Sequence, residues 1–218
     1  MTMQKNDFIE IEYDAFDKDS GRLVDTTSEK KAKEHKIYQE GVKYGGIIIC
    51  LGFRDVIKGL DDFIEGKEPG EYKVELKPEE AFGKKDSGLI KLMPMNAFIE
   101  ANIKPFPGLQ LNLDGILCTV RSVSGGRVMV DFNHPLSGKT IKYELKIKRK
   151  ITDLKEKVIS LLDLRLEKYN IEKLENGVLE VKSKIRKEFE KSLEKEIQEK
   201  IKEIEKVVFL EEKEAKEK

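Results

Sequence analysis

Two histidines, His35 and His134, and two cysteines, Cys50 and Cys118, are the whole supply of imidazole and thiol chemistry in the 218 residues. His35 sits in a run of lysines and glutamates, which points to a solvated surface role. His134 precedes Pro135 and reads as a turn residue. The cysteines lie in strand-like apolar runs without CxxC spacing, so buried free thiols are expected rather than a disulfide or redox pair. There is no HExxH motif and no His-rich tail, so neither a metal nor a cofactor is expected. No GxGxxG or GxxxxGK[ST] sequence cradles phosphate. Carboxylates number 42, so proximity of any two carries no specificity. A reaction run by this chain must work without an ionised side chain as catalyst.

Charged residues make up 39%, against about 25% in ordinary domains. Lys+Arg and Asp+Glu balance at 42 each, which removes any whole-chain attraction to nucleic acid or an anionic membrane. Such density, mostly Lys and Glu, suits a thermophile surface laced with ion pairs. No run approaches the roughly 20 apolar residues of a membrane span. Glu10 and Glu12 break the first apolar run, so no signal peptide is read. A soluble, cytoplasmic protein without nucleic-acid or membrane partners is the expectation.

Three regions would position any site. In the first, Ile9, Ile11, Tyr13 and Ala15 alternate with Glu10, Glu12 and Asp14, as in a half-buried strand. Gly45–Leu51 is a continuous apolar run. Val56, Ile57, Leu60, Phe63 and Ile64 follow at helical spacing, with Asp55 placed to cap and Gly66 to terminate. Tyr72, Val74 and Leu76 alternate again.

The second region, about Asp86 to Asn133, is punctuated by Pro94, Pro105 and Pro107. Short strands are predicted at Leu109–Leu113, Gly115–Val123 and Arg127–Phe132, with Ser124-Gly125-Gly126 as a hairpin turn. A further strand is expected at Ile141–Lys148.

The third region lacks proline. Asp153 and Glu156 resemble a capping box opening a helix. Asn176-Gly177 marks a hairpin. A second helix carries Ile185, Phe189, Leu193, Ile197, Ile201 and Ile204 on one stripe. Val207–Leu210 suits a last strand, and Glu211–Lys218 a charged, frayed tail. The stripe must be covered, either by this region itself or by a second copy, and a homodimer through the C-terminal region is expected.

Four blocks in order resemble the FKBP family of peptidyl-prolyl cis–trans isomerases. They are Gly21-Arg22-Leu23-Val24-Asp25-Thr26, then Leu51-Gly52-Phe53-Arg54-Asp55-Val56-Ile57-Lys58-Gly59-Leu60, then Ala81-Phe82-Gly83, then Asn133 to Tyr143, which is similar to the family's NHPLAGKxLxF segment. The roughly fifty residues between Gly83 and Asn133, where small members have a short flap, resemble the insert-in-flap layout of the SlyD-like branch. The C-terminal extension is similar to that of long archaeal members.

The resemblance implies an α+β fold: an antiparallel sheet wrapped on a short helix, a β-rich insert and a C-terminal α/β extension. It implies an isomerase domain over 1–87 plus 133–151, an insert-in-flap chaperone domain over 88–132, and a C-terminal domain over 152–218. It further implies catalytic roles for Tyr13, Asp25, Ile57, Leu60, Phe82 and Tyr143. Val24, Ile47, Ile49 and Val56 would complete the substrate-binding wall. Leu60 stands where many members have tryptophan, Phe82 where tyrosine is commoner, Tyr143 where phenylalanine is usual and Ile47 where an aromatic wall is common. In the insert, Met93, Met95, Phe98, Ile99, Ile103 and Phe106 are expected to bind unfolded clients, some of them doubling as core; methionine adapts to many partners.

The implied reaction suits the missing acid–base groups. Resonance gives the amide a rotational barrier of about 18–20 kcal/mol. An apolar pocket disfavours the charge-separated form and favours the twisted amide, while the Ile57 N–H holds a neighbouring carbonyl. The implied partners are unfolded, proline-containing chains. Two rival readings remain: a holdase chaperone with a vestigial pocket, and an oligomer-forming structural protein.

Overall fold

Period-two patterning lays down the first half of the chain. Its elements are β1 (Phe8–Asp17), β2 (Leu23–Thr26), α1 (Glu29–Glu34), β3 (Ile47–Cys50), α2 (Lys58–Ile64), β4 (Gly70–Leu76), β5 (Ile90–Pro94) and α3 (Met95–Glu100). Then come β6 (Gln110–Leu113), β7 (Ile116–Ser124), β8 (Arg127–Asp131), β9 (Ile141–Ile151), α4 (Leu154–Arg165), β10 (Tyr169–Glu175), β11 (Val178–Ser183), α5 (Lys187–Lys200) and β12 (Lys206–Glu211). The computed structural model describes residues 1–113 and 115–211; apart from Glu211, the tail expected at Glu211–Lys218 lies outside the described residues. The mixture of largely antiparallel sheets and helices is α+β, as expected.

The chain forms two compact units. One is Met1–Asp14 with Asp25–Val74 and Glu144–Lys218; the other is Ala15–Val24 with Glu75–Tyr143. In the main sheet the strand order is β2–β1–β9–β4, and β3 adds to β1. Antiparallel register sets Phe8 against Cys50, Ile9 against Ile49 and Ile11 against Ile47. Alternation then gives each pair its own face. Phe8 and Cys50 join Ile151, Val158, Leu161, Leu162, Leu179, Val181, Leu193 and Ile197 in one core. Ile9, Ile11 and Ile49, also buried, point the other way. The extension therefore shares a core with β1 and β3.

Within the extension, β10, β11 and β12 form a sheet in that order. Asn176 and Gly177 take left-handed φ of 50° and 73°, which a two-residue hairpin turn needs. Strand β12 runs parallel to β11, so α5 serves as the crossover. Asp153 caps α4 by accepting the Glu156 amide at 2.7 Å. The apolar stripe is covered inside the chain: Leu193, Ile197, Ile201 and Ile204 are all at most 4% exposed. Burying such a side chain stabilises by about 1.5–3 kcal/mol. Ile185 is half-buried and Phe189 exposed.

In the second unit, a sheet in the order β5–β8–β7–β6 carries α3. Phe98, Cys118, Val120, Val128 and Val130 are its core, with Met93, Met95 and Ile103 packed around it.

The structure departs from the sequence reading at three helices. Helix α2 starts at Lys58 with Ile57 as N-cap and no side-chain cap. Asp55 does not cap it; its carboxylate takes the Cys50 amide at 2.9 Å and Lys200 at 2.6 Å instead. Helices α1 and α3 were not legible, since each is six residues long with one buried side chain, Ala32 and Phe98. No described helix is long and apolar enough to cross a membrane.

Candidate active site

Adjacent strands bring Tyr13 and Asp25 together. The Tyr13 hydroxyl donates to Asp25 Oδ2 at 2.9 Å. Tyr13 is latched alongside to Thr27: the Tyr13 amide donates to Thr27 Oγ1 and the Thr27 amide to the Tyr13 carbonyl, both at 3.0 Å. Tyr13 is half-buried and Asp25 exposed, so the pair stands at a surface. Ile47 and Ile49 lie on β3 opposite Ile11 and Ile9.

Leu60 is buried in α2, and Val56 and Ile57 are half-buried just before it. The Ile57 carbonyl accepts the amides of Leu60 at 3.0 Å and Asp61 at 3.1 Å. Its own amide donates to no acceptor among the described residues. Ile57 is extended, with φ −59° and ψ 149°, so that amide precedes the helix rather than joining its ladder.

Val24, Phe82 and Tyr143 belong to the second unit. Val24 is half-buried on β2 and Tyr143 buried on β9. The Phe82 ring stacks on His134, centroids 4.7 Å apart and planes 1° from parallel. The Phe82 carbonyl accepts Ser137 Oγ at 3.0 Å, and Gly83 O accepts the Gly138 amide at 2.8 Å. His134 is thus a turn residue, its Nδ1 accepting the Leu136 amide at 3.2 Å, and it also backs the Phe82 ring. That contact was not legible from spacing, because the whole insert and the turn after it intervene between the two rings.

The apolar residues of the insert divide. Phe98, expected among the client-binding residues, fills the core at 2% exposure. Met93, Met95 and Ile103 line that core half-buried. Ile99 and Phe106 are exposed, at 64% and 56%. Both thiols are buried and unpaired. Burial pushes the Cys50 thiol up to about 12, partly offset by the nearby Lys200 ammonium.

The sequence is 33% identical over 147 residues to the short-type peptidyl-prolyl cis-trans isomerase of Methanocaldococcus jannaschii, covering 67% of this chain and 92% of that protein. The chain belongs to the FKBP-type peptidyl-prolyl cis–trans isomerases. Two SlyD proteins of that type are also similar. That of Helicobacter pylori is 28% identical over 63% of this chain and 69% of its own length; that of Aeromonas hydrophila is 31% identical over 64% and 60%. Residues 91–136 match the family model described as FKBP26, IF domain.

In this FKBP the insert also exposes residues that sequence reasoning passed over. Leu92 and Met129 are direct partners across β5 and β8, at 61% and 36% exposure. Alternation offered the signal: with Met93, Val128 and Val130 facing the core, Leu92 and Met129 must face outward.

Proposed function

We propose that this FKBP accelerates rotation about X-Pro bonds at a surface carried by Tyr13, Asp25, Ile47, Val56 and Ile57, with the buried Ile49 and Leu60 as its apolar support. Val24, Phe82 and Tyr143 are assigned to the same work on the family pattern alone. The observation that supports the assignment most is the Ile57 amide, which finds no acceptor among the described residues. A substrate carbonyl beside the turning bond would accept it. The apolar side chains around it favour the twisted amide over the planar, charge-separated one. Neither proton transfer nor covalent attack is required. Turnover of a proline tetrapeptide tests the assignment, and an inactive chain would leave the holdase reading in its place.

The insert is the proposed holder of unfolded, proline-containing chains. Leu92, Met129, Ile99 and Phe106 present apolar surface that the insert's own core does not use. Replacing residues 88–132 by a short turn should spare tetrapeptide turnover and slow proline-limited refolding of a protein, because tethering raises the local client concentration. Equal losses on both substrates would count against client capture.

A cytoplasmic setting fits two buried, unpaired thiols. Homodimerisation through the extension loses its first ground, since the stripe that called for a partner is largely covered within the chain.

A further inference from the structure

The C-terminal extension reaches the segment that presents the Ile57 amide. Asp55 lies two residues before Ile57, and its side chain is only 6% exposed. Its Oδ2 accepts the Cys50 amide at 2.9 Å. Its Oδ1 takes Lys200 Nζ at 2.6 Å, from a residue 145 positions later in the last turn of α5. The Lys200 side chain is 3% exposed. Its ammonium also meets Glu196 Oε1 at 2.8 Å and lies 5.5 Å from the Phe53 ring centre. Arg165 of α4 grips Glu196 at 2.9 and 2.6 Å and comes within 4.0 Å of Asp55 Oδ1.

The segment held this way is not one the backbone prefers. Gly52 has φ +90°, and Arg54, which carries a Cβ, has φ +61°. Left-handed backbone at such a residue persists only where its surroundings hold it. Asp61 holds the Gly52 amide at 3.1 Å, and the Arg54 guanidinium bonds the Lys58 carbonyl at 3.1 Å and Asp62 at 2.8 Å. At Asp55 the anchors are the Cys50 amide, on one carboxylate oxygen, and Lys200, on the other. A buried ion pair is a poor way to add stability, because desolvation offsets most of its attraction. What it does supply is a fixed place for the carboxylate, and so for the two residues after it.

We propose that Lys200 is a positioning residue for isomerisation, fixing Asp55 and through it the Val56–Ile57 amide. This rests on the assignment of Ile57 as a substrate contact. The full-length chain is tested as Lys200→Arg and as the double variant Asp55→Asn with Lys200→Met. The asparagine can still accept the Cys50 amide, and no unpaired charge is left at the Asp55–Lys200 contact. The double variant should unfold cooperatively, with kcat on an X-Pro tetrapeptide down roughly tenfold and KM little changed, the mark of a displaced transition-state contact. Lys200→Arg should recover most of that loss. A folded double variant with kcat within about twofold of wild type overturns the proposal. Failure of the double variant to fold also overturns it, by making the pair a requirement of the fold. Ile57→Pro separates the two assignments, since φ −59° suits proline and the substitution removes the amide hydrogen. Full activity of Ile57→Pro defeats both; an inactive Ile57→Pro beside a fully active double variant defeats the Lys200 proposal alone.

Discussion

Asn133 clasps Asp86 in both directions: its Nδ2 donates to the Asp86 carbonyl at 2.9 Å, and its Oδ1 accepts the Asp86 amide at 2.8 Å. The two residues stand where the chain enters and leaves the insert. Asn133 also donates to Asp131 Oδ1 through Nδ2 at 2.7 Å and through its amide at 2.9 Å. Burial pushes the Asp131 carboxyl up, but those bonds, with Arg121 and Lys85 nearby, hold it below its ordinary 3.8. Asn133→Ala should destabilise the chain by about 1–3 kcal/mol, the cost of stranding buried polar groups. NMR titration should show the Asp131 pKa rising. An unchanged Asp131 titration would mean that Asn133 does not govern that carboxylate.

Core and surface of the insert should separate cleanly under mutation. Phe98→Ala removes the centre of its core and should cost about 3–5 kcal/mol. Leu92→Ser with Met129→Ser should leave the unfolding midpoint nearly unchanged and weaken suppression of aggregation of an unfolded client. Wild-type suppression by the double variant would remove the exposed β5–β8 face as the client surface.

Acid should loosen the extension through Glu196. Arg165 holds its carboxyl below the ordinary 4.5; burial opposes this, and Lys200 adds to it. In the unfolded chain the group titrates near that ordinary value. Its contribution to stability is therefore complete above about pH 4.5 and disappears as pH falls through the lower folded value. Glu196→Gln should lose less Tm than wild type between about pH 5 and pH 3. Parallel Tm profiles for the two proteins would show that Glu196 does not couple folding to protonation.

Much of the framework could be read from sequence because it is locally encoded. Alternation in β1, the Asn176-Gly177 turn and the Asp153 cap each depend on residues a few positions apart. The blocks around Asp25, Ile57, Phe82 and Asn133 carried the family resemblance in the same way. The fate of Asp55 was not legible, since its partner is 145 residues away and a helical cap was the nearer local option. The short α3, between Pro94 and Pro105, gave too few turns for periodicity to register. Cover for the Leu193–Ile204 stripe depends on Phe8 and Cys50, which no reading confined to the third region would supply.

That cover gives a prediction about assembly. Ile197→Ala should cost about 2–5 kcal/mol, as for a buried core residue. The Tm of wild type should not change across a hundredfold dilution, as unfolding of a self-sufficient chain requires. A Tm that falls on dilution would restore a homodimer as part of the stable state.

Relaxation of a cis-enriched X-Pro tetrapeptide, followed with and without the purified full-length chain, tests the account most directly. Uncatalysed, it takes tens to hundreds of seconds. The chain should shorten it in proportion to enzyme concentration, with a preference for apolar residues before proline. Tyr13→Ala, which removes the hydroxyl bonded to Asp25, should lower kcat/KM roughly tenfold while leaving unfolding cooperative. A relaxation time unchanged by wild-type chain would contradict the assignment of prolyl isomerisation to this protein.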